Sequence, residues 1–244
     1  MNTETKKIVF LIAIILVSGL LFARQAAAQN FQGGLNLMLG VPQGEFSDNV
    51  DNPGFGIGGM FGVSIPHSPL MVGGDLGFLI YGSETRKEPF STTIPDVTVN
   101  VETSNNIAMG HLLLRLQAPV GAIRPYMDGL IGFNYLFTET KIKDEDYNDD
   151  EIASSTNFDD AAFSYGAGGG LQIRVYNGRY KKPKEGEKNL TGVFIDFRVR
   201  YLVGGKAEYL KEGSIARENG RVTHDVTQSK TDLLTYQLGV VFTF

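Results

Sequence analysis

Past residue 28, apolar and polar positions alternate with a period of two, the spacing of a strand with one face in an apolar medium. Eight segments carry this pattern. In 30–40, Phe31, Leu35, Leu37 and Leu39 share a face opposite Gln32, Asn36 and Met38. In 55–65, Phe55, Ile57, Phe61, Val63 and Ile65 oppose mostly glycines and Ser64. Residues 70–81 set Leu70, Val72, Leu76, Phe78 and Ile80 against Asp75 and Tyr81, and 106–118 set Ala108, Leu112, Leu114 and Leu116 against His111, Arg115 and Gln117. The second half continues the scheme. Residues 126–137 place Met127, Ile131, Phe133, Tyr135 and Phe137 opposite Asp128 and Asn134, and 161–176 place Phe163, Tyr165, Leu171, Ile173 and Val175 opposite Ser164, Gln172 and Arg174. Residues 192–203 place Val193, Ile195, Phe197, Val199 and Tyr201 opposite Asp196, Arg198 and Arg200. The last segment, 231–244, places Leu234, Tyr236, Leu238, Val240, Phe242 and Phe244 opposite Thr235, Gln237 and Thr243.

The pattern predicts an all-β fold, a closed antiparallel eight-stranded up-and-down transmembrane β-barrel. Tilted strands of roughly 9–11 residues cross a bilayer, and no stretch after residue 28 is long and apolar enough to cross as a helix. Connection lengths agree. Residues 66–69 and 119–125 are short, whereas 41–54, 82–105, 138–160 and 204–230 are long, the alternation of periplasmic turns and external loops found in outer-membrane barrels. The connection 177–189 departs from this habit, being long and basic, with Arg179, Lys181, Lys182, Lys184 and Lys188; it reads as a solvated turn.

A soluble lipocalin-type barrel alternates too, so the charges decide. Asp75, His111, Arg115, Asp128, Arg174, Asp196, Arg198 and Arg200 all share the non-apolar face, and a dry core tolerates such groups only when each is paired. In a membrane barrel the apolar face meets lipid and the polar face looks inward. Eight strands leave room for side chains and little else. The inward Arg and Asp residues therefore predict an ion-pair network plugging the lumen, with a charged constriction for solutes as the rival reading.

The first residues change the picture of where the chain goes. Lys6 and Lys7 precede the apolar run 8–22, and Ala26, Ala27 and Ala28 supply a small-residue cleavage site before Gln29, which is the pattern of a secretory signal peptide. The organisation read from this is a signal peptide at 1–28 and one outer-membrane β-barrel domain at 29–244. The formal net charge is -5 for the whole chain, and cleavage removes Lys6, Lys7, Arg24 and Glu4, leaving an acidic protein without the basic footprint of nucleic-acid binding. Cysteine is absent, so neither a disulfide, a thiolate nucleophile nor a lipoprotein anchor is available. Thirty glycines would penalise helices but suit a curved wall with space inside it.

The chain ends Gln237-Leu238-Gly239-Val240-Val241-Phe242-Thr243-Phe244. This resembles the β-signal of outer-membrane proteins, a polar residue, a Gly two positions on and alternating hydrophobics to a terminal Phe. The wider pattern resembles the OmpA/OmpX-like superfamily of small barrels, the outer-membrane β-barrel domain or porin-like family. Residues 40–46 and 53–58 are similar to first-loop sequences of its members in Bacteroidetes-type bacteria, and Arg124-Pro125-Tyr126 with Gly132-Phe133-Asn134-Tyr135 is similar to its fifth strand. Unlike OmpA itself, no peptidoglycan-binding domain follows Phe244 in this sequence. The resemblance implies a location in the bacterial outer membrane and insertion by an assembly machinery that recognises the last strand. Outer-membrane lipids and lipopolysaccharide are the expected partners of a monomer.

Candidate chemistry is sparse. Small outer-membrane barrels include lipid A deacylases and acyltransferases, which would want a His and Ser at the lipid-facing rim. His67 falls in a predicted turn, His111 faces the lumen and His224 lies in an external loop, so no catalytic residue is assigned. The loop 138–160 holds Asp144, Glu145, Asp146, Asp149, Asp150 and Glu151, oxygen donors suited to Ca²⁺, but without calcium-loop spacing. It reads as a solvated acidic loop, and neither a metal nor a cofactor is expected. Gly166-Ala167-Gly168-Gly169-Gly170 lies mid-strand with no helix after it and is no phosphate loop. The expected role is non-enzymatic, structural or surface-interacting. A narrow channel for small or hydrophobic solutes is the alternative, and a lipid-modifying enzyme stands behind both.

Overall fold

The computed structural model describes residues 31–91, 94–144, 151–178, 190–218 and 221–244. The expected signal peptide and most of the basic connection 177–189 lie outside the described residues. Ten strands follow one another: β1 (Phe31–Pro42), β2 (Gly54–Ser64), β3 (Leu70–Ser91), β4 (Ile94–Gln117), β5 (Ile123–Asp144), β6 (Glu151–Asn177), β7 (Gly192–Gly204), β8 (Lys206–Glu218), β9 (Arg221–Lys230) and β10 (Leu233–Thr243). Eight of them close a barrel in the order β1-β10-β7-β6-β5-β4-β3-β2, and β8 and β9 form a separate hairpin. Every neighbouring pair is antiparallel, and the seam runs from Gln32 opposite Thr243 to Pro42 opposite Leu233. The Phe244 amide donates to the Phe31 carbonyl at 2.9 Å, and the two rings stand 6.1 Å apart. Closure has a plain physical cause, since each unpaired backbone group left in lipid costs several kcal/mol.

The alternation sorts as expected. Leu35 is 73 % exposed and Met127 68 %, as are many large apolar residues on every barrel strand, while the intervening positions are buried. On β7 the outward run from Val193 to Tyr201 extends about 26 Å at roughly 3.3 Å per residue, enough at the usual tilt for most of an apolar band about 25 Å tall. Tyrosines mark the outer edge of the band. Tyr135 donates to Asp159 at 3.0 Å and Tyr201 to Asp232 at 3.4 Å, each with an apolar ring in the band and a hydroxyl at the polar side. Phe78 and Phe137 meet with ring centroids 6.2 Å apart, reaching toward each other past Ala108 of the strand between them.

Three of the four long connections are β structure where the sequence pattern predicted loops. The β3–β4 ladder continues to Ser91 opposite Ile94, and β5–β6 continues to Lys143 opposite Glu151. β3 to β6 are therefore 22 to 27 residues long, against 11 to 13 for β1, β2, β7 and β10. The third connection, 204–230, folds as β8–β9. Their polar residues lie on both faces, so a hydrophobic period is absent although β-branched residues such as Val99, Val101, Thr103 and Thr140 favour the strand. Of the four, the first connection stays irregular, with a 3-10 turn at Gly44–Phe46.

Candidate functional site in the lumen and at its mouth

Six of the inward charges form one neutral network, and Arg174, expected in it from the alternation, stands instead over Phe194. Arg115 on β4 faces Asp128 on β5 in register and forks onto it, Nε to Oδ1 at 2.7 Å and Nη2 to Oδ2 at 2.9 Å. From β7, Arg200 reaches the same Asp128 at 2.8 Å and Asp75 of β3 at 2.8 Å. Arg198 pairs with Asp196, lies 3.4 Å from Asp75 and donates to Gln237 at 3.2 Å. Tyr126 ties the two halves together. Its hydroxyl donates to Asp196 at 2.6 Å and accepts from Arg198 at 3.1 Å, and the Arg115 guanidinium lies 3.6 Å over its ring. Three arginines face three aspartates, so the field of fixed charge cancels. Arg115 is 0 % exposed. A set like this tolerates burial because each charge has hydrogen-bonded partners, whereas removing one partner of a buried pair costs about 3–5 kcal/mol.

The glycine run of β6 makes space for the network. A Cβ at Gly168 would meet the Arg200 side chain and the Val199 carbonyl, and one at Gly170 would meet the Tyr126 hydroxyl. The sequence had marked this run only as a false phosphate loop; its purpose needs the neighbouring strands to be seen.

The lumen is not polar throughout, and apolar side chains share the inward face with the charges. Toward the extracellular end from the network, Met38, Leu79, Ile107, Met109, Leu136, Leu202 and Leu233 fill it. Four of the five methionines after Met1 point inward (Met38, Met60, Met71, Met109), a flexible side chain suited to irregular gaps. Over this layer sits an aromatic cap. Phe46 of the first connection packs edge-on against Tyr81 at 5.6 Å and Tyr209 of β8 at 5.3 Å. β8 is held across the mouth by Tyr81 donating to the Leu210 carbonyl at 3.4 Å and by Arg86 donating to the Ile215 carbonyl at 3.1 Å. The Glu208 amide donates to Asp160 at 2.8 Å, and the Lys230 amide, from β9, donates to Glu45 at 3.1 Å.

Outside the cap, a cleft of about 260 Å³ opens between Asn49, Asp51 and Asn52 of the first connection, Tyr81 and Asn105 of the wall, and Lys211 and Glu212 of β8. Asn105 is buried and its side-chain Oδ1 accepts from the Thr138 hydroxyl at 2.8 Å. Next to the cleft, the Arg86 guanidinium holds the Glu84 carboxyl below its ordinary range, assisted by a Gly213 backbone hydrogen bond, and together they outweigh the opposing effect of partial burial.

The residues weighed from sequence are scattered. His67 occupies the β2–β3 turn with φ 58°, and His224 lies exposed on β9. His111 is the exception. Its Nε2 lies 3.1 Å from Ser164 Oγ, a pairing that parity alone could not reveal, since the two residues are on β4 and β6. Ser164 is fully buried inside the lumen, so the pair has no lipid-facing rim to work on. Among the described residues no His, Asp, Glu or Cys group is arranged to hold a metal. The acidic stretch 145–150 lies outside the described residues, while Asp159 and Asp160 of the same connection are engaged by Tyr135 and by the Glu208 amide.

The profile of the outer membrane protein beta-barrel domain family matches residues 13–244. The chain belongs to that family. It is thereby a protein of the bacterial outer membrane. No curated protein matches it in sequence. Among solved structures, neisserial surface protein A is similar over 88 % of this chain and 97 % of its own, at 12 % identity and a TM-score of 0.40. A major outer membrane protein from Thermus thermophilus is similar over 88 % and 99 %, at 11 % identity and a TM-score of 0.42. The N-terminal β-barrel domain of Pseudomonas aeruginosa OprF is similar over 87 % and 97 %, at 12 % identity and a TM-score of 0.33.

Proposed function

We propose that this family member is a non-enzymatic, monomeric outer-membrane barrel with a structural and surface-interacting role. The observation carrying the reading is the filled lumen. A charge-balanced network joins β3, β4, β5 and β7, and apolar side chains and an aromatic cap lie over it. Such an interior serves cohesion of the wall rather than passage of solutes. What the barrel offers to partners is its outside: an apolar band for outer-membrane lipids and lipopolysaccharide, and an outward-opening cleft of polar side chains. The assembly machinery is the partner of the closing strand β10 together with the Phe244 that follows it. The test is conductance of the purified protein in planar bilayers. No current steps are expected at any voltage, and reproducible unitary steps would overturn the reading. Lipid A profiles by mass spectrometry should be unchanged by deletion of the gene.

A further inference from the structure

The periplasmic end of the lumen holds donors that have no acceptor among the described residues. Arg124, near the start of β5, faces Gln172 of β6 in register. Arg174 lies two residues beyond Gln172 and faces Phe194 of β7. Phe194 is fully buried, and the guanidinium carbons of Arg124 and Arg174 stand 4.5 Å and 5.3 Å from its ring centroid. Two positive charges thus share one aromatic floor. Among the described residues neither makes an ion pair, in contrast to Arg115, Arg198 and Arg200, each of which touches an aspartate. Arg124 Nε and Gln172 Nε2 are buried and have no acceptor there. The two arginines are partly exposed, so the group is reachable from the rim.

Like charges brought together without a counter-charge repel, and buried donors without acceptors lose their hydration without a replacement partner. We propose that these residues form a binding site for a phosphate group entering from the periplasmic side. Gln32, tied to Gln172 through Gln117, leaves its Oε1 unpaired, but the charged groups left over there are donors, and two guanidiniums call for an acceptor with negative charge. Planar guanidinium forks match phosphate oxygens, and a phosphate offers enough of them for two forks and an amide to converge. The aromatic floor helps to hold both cations in place. The β6–β7 connection leaving this rim is basic in sequence, a sign that favours approach of an anion. Such a group has two sources, a soluble phosphate compound or the headgroup of a phospholipid in the periplasmic leaflet.

The experiment uses the folded, full mature chain, its fold verified by the gel shift between unboiled and boiled samples. In one arm, inorganic phosphate is titrated calorimetrically against chloride at equal ionic strength. In the other, native mass spectrometry compares retention of phosphatidylglycerol with that of diacylglycerol, which lacks the phosphate. Phosphate binding identifies a soluble source, and selective retention of phosphatidylglycerol identifies a headgroup; either supports the site when R124A/R174A weakens it roughly ten- to hundredfold. R124K/R174K keeps the charge, loses the forks and should fall between the two. No preference for phosphate in either arm, or binding unchanged in R124A/R174A, overturns the proposal.

Discussion

β5 is two strands in one. From Met127 to Phe137 its outward positions are apolar and meet lipid, and from Glu139 to Lys143 they are charged, with Lys141 3.8 Å from Glu139 and Lys143 2.6 Å from Glu102. The backbone ladder to β4 runs through both parts without a break. Its inward positions change as well, from Asp128 in the ion-pair network to Leu136 in the apolar layer and Thr138 beneath the cleft. The difference teaches that β pairing here does not depend on a hydrophobic face. In the membrane the ladder is enforced by the absence of water; above it, water competes for each hydrogen bond, and cross-strand pairs of polar side chains contribute only about 0.2–1 kcal/mol apiece.

Substitutions in the two parts should therefore differ sharply. Asp128→Ala strips two arginines of their shared carboxylate and should destabilise the barrel by about 3–5 kcal/mol, read as a lower urea midpoint for unfolding from vesicles. Next in size, Ile131→Arg on the lipid face should cost about 2–4 kcal/mol. Gly168→Val would drive a side chain into Arg200, and an overpacking cost of about 1–3 kcal/mol is expected, measured in the same urea titration. Lys141→Ser, on the same face of β5 as Ile131, should change stability by less than about 0.5 kcal/mol. Equal effects of Ile131→Arg and Lys141→Ser would erase the boundary drawn between Phe137 and Glu139.

The smallest effect belongs to the mouth. Because the Glu84 carboxyl titrates lower in the folded protein than its ordinary value, its contribution is present above the usual carboxylate range and is lost as pH falls through the lowered value. Hydrogen exchange in the β8 turn around Gly213 should therefore rise only in acid. Glu84→Gln should flatten that dependence, and an unchanged acid response in the variant would sever Glu84 from the docking of β8.

The parts of the fold that were legible in sequence are those where one face is apolar. Leu35, Leu37, Phe197 and Val199 announced their strands because lipid selects every second residue. The polar continuations of β3 to β6 and the β8–β9 hairpin were not legible, since water selects neither face and Val101 or Thr140 is an equally ordinary loop residue. The site was half legible. Parity placed Asp75, Arg115, Asp128, Asp196, Arg198 and Arg200 inside, and it also placed Arg174 there without distinguishing its fate, while Arg124 fell in a predicted turn.

The sequence by itself determined the strand count of the barrel, the inward and outward faces and the closing seam at Phe244, because all three follow from a period of two repeated along a chain that must leave no edge in lipid. Only the tertiary structure decided who meets whom. Strand order and shear bring β7 across to β3 and β5, so Arg200 finds Asp75 and Asp128, while Arg124 and Arg174 converge on Phe194 with no described carboxylate paired to either. Charge type is local to a residue; neutralisation depends on distance, and distance is set by the closed barrel.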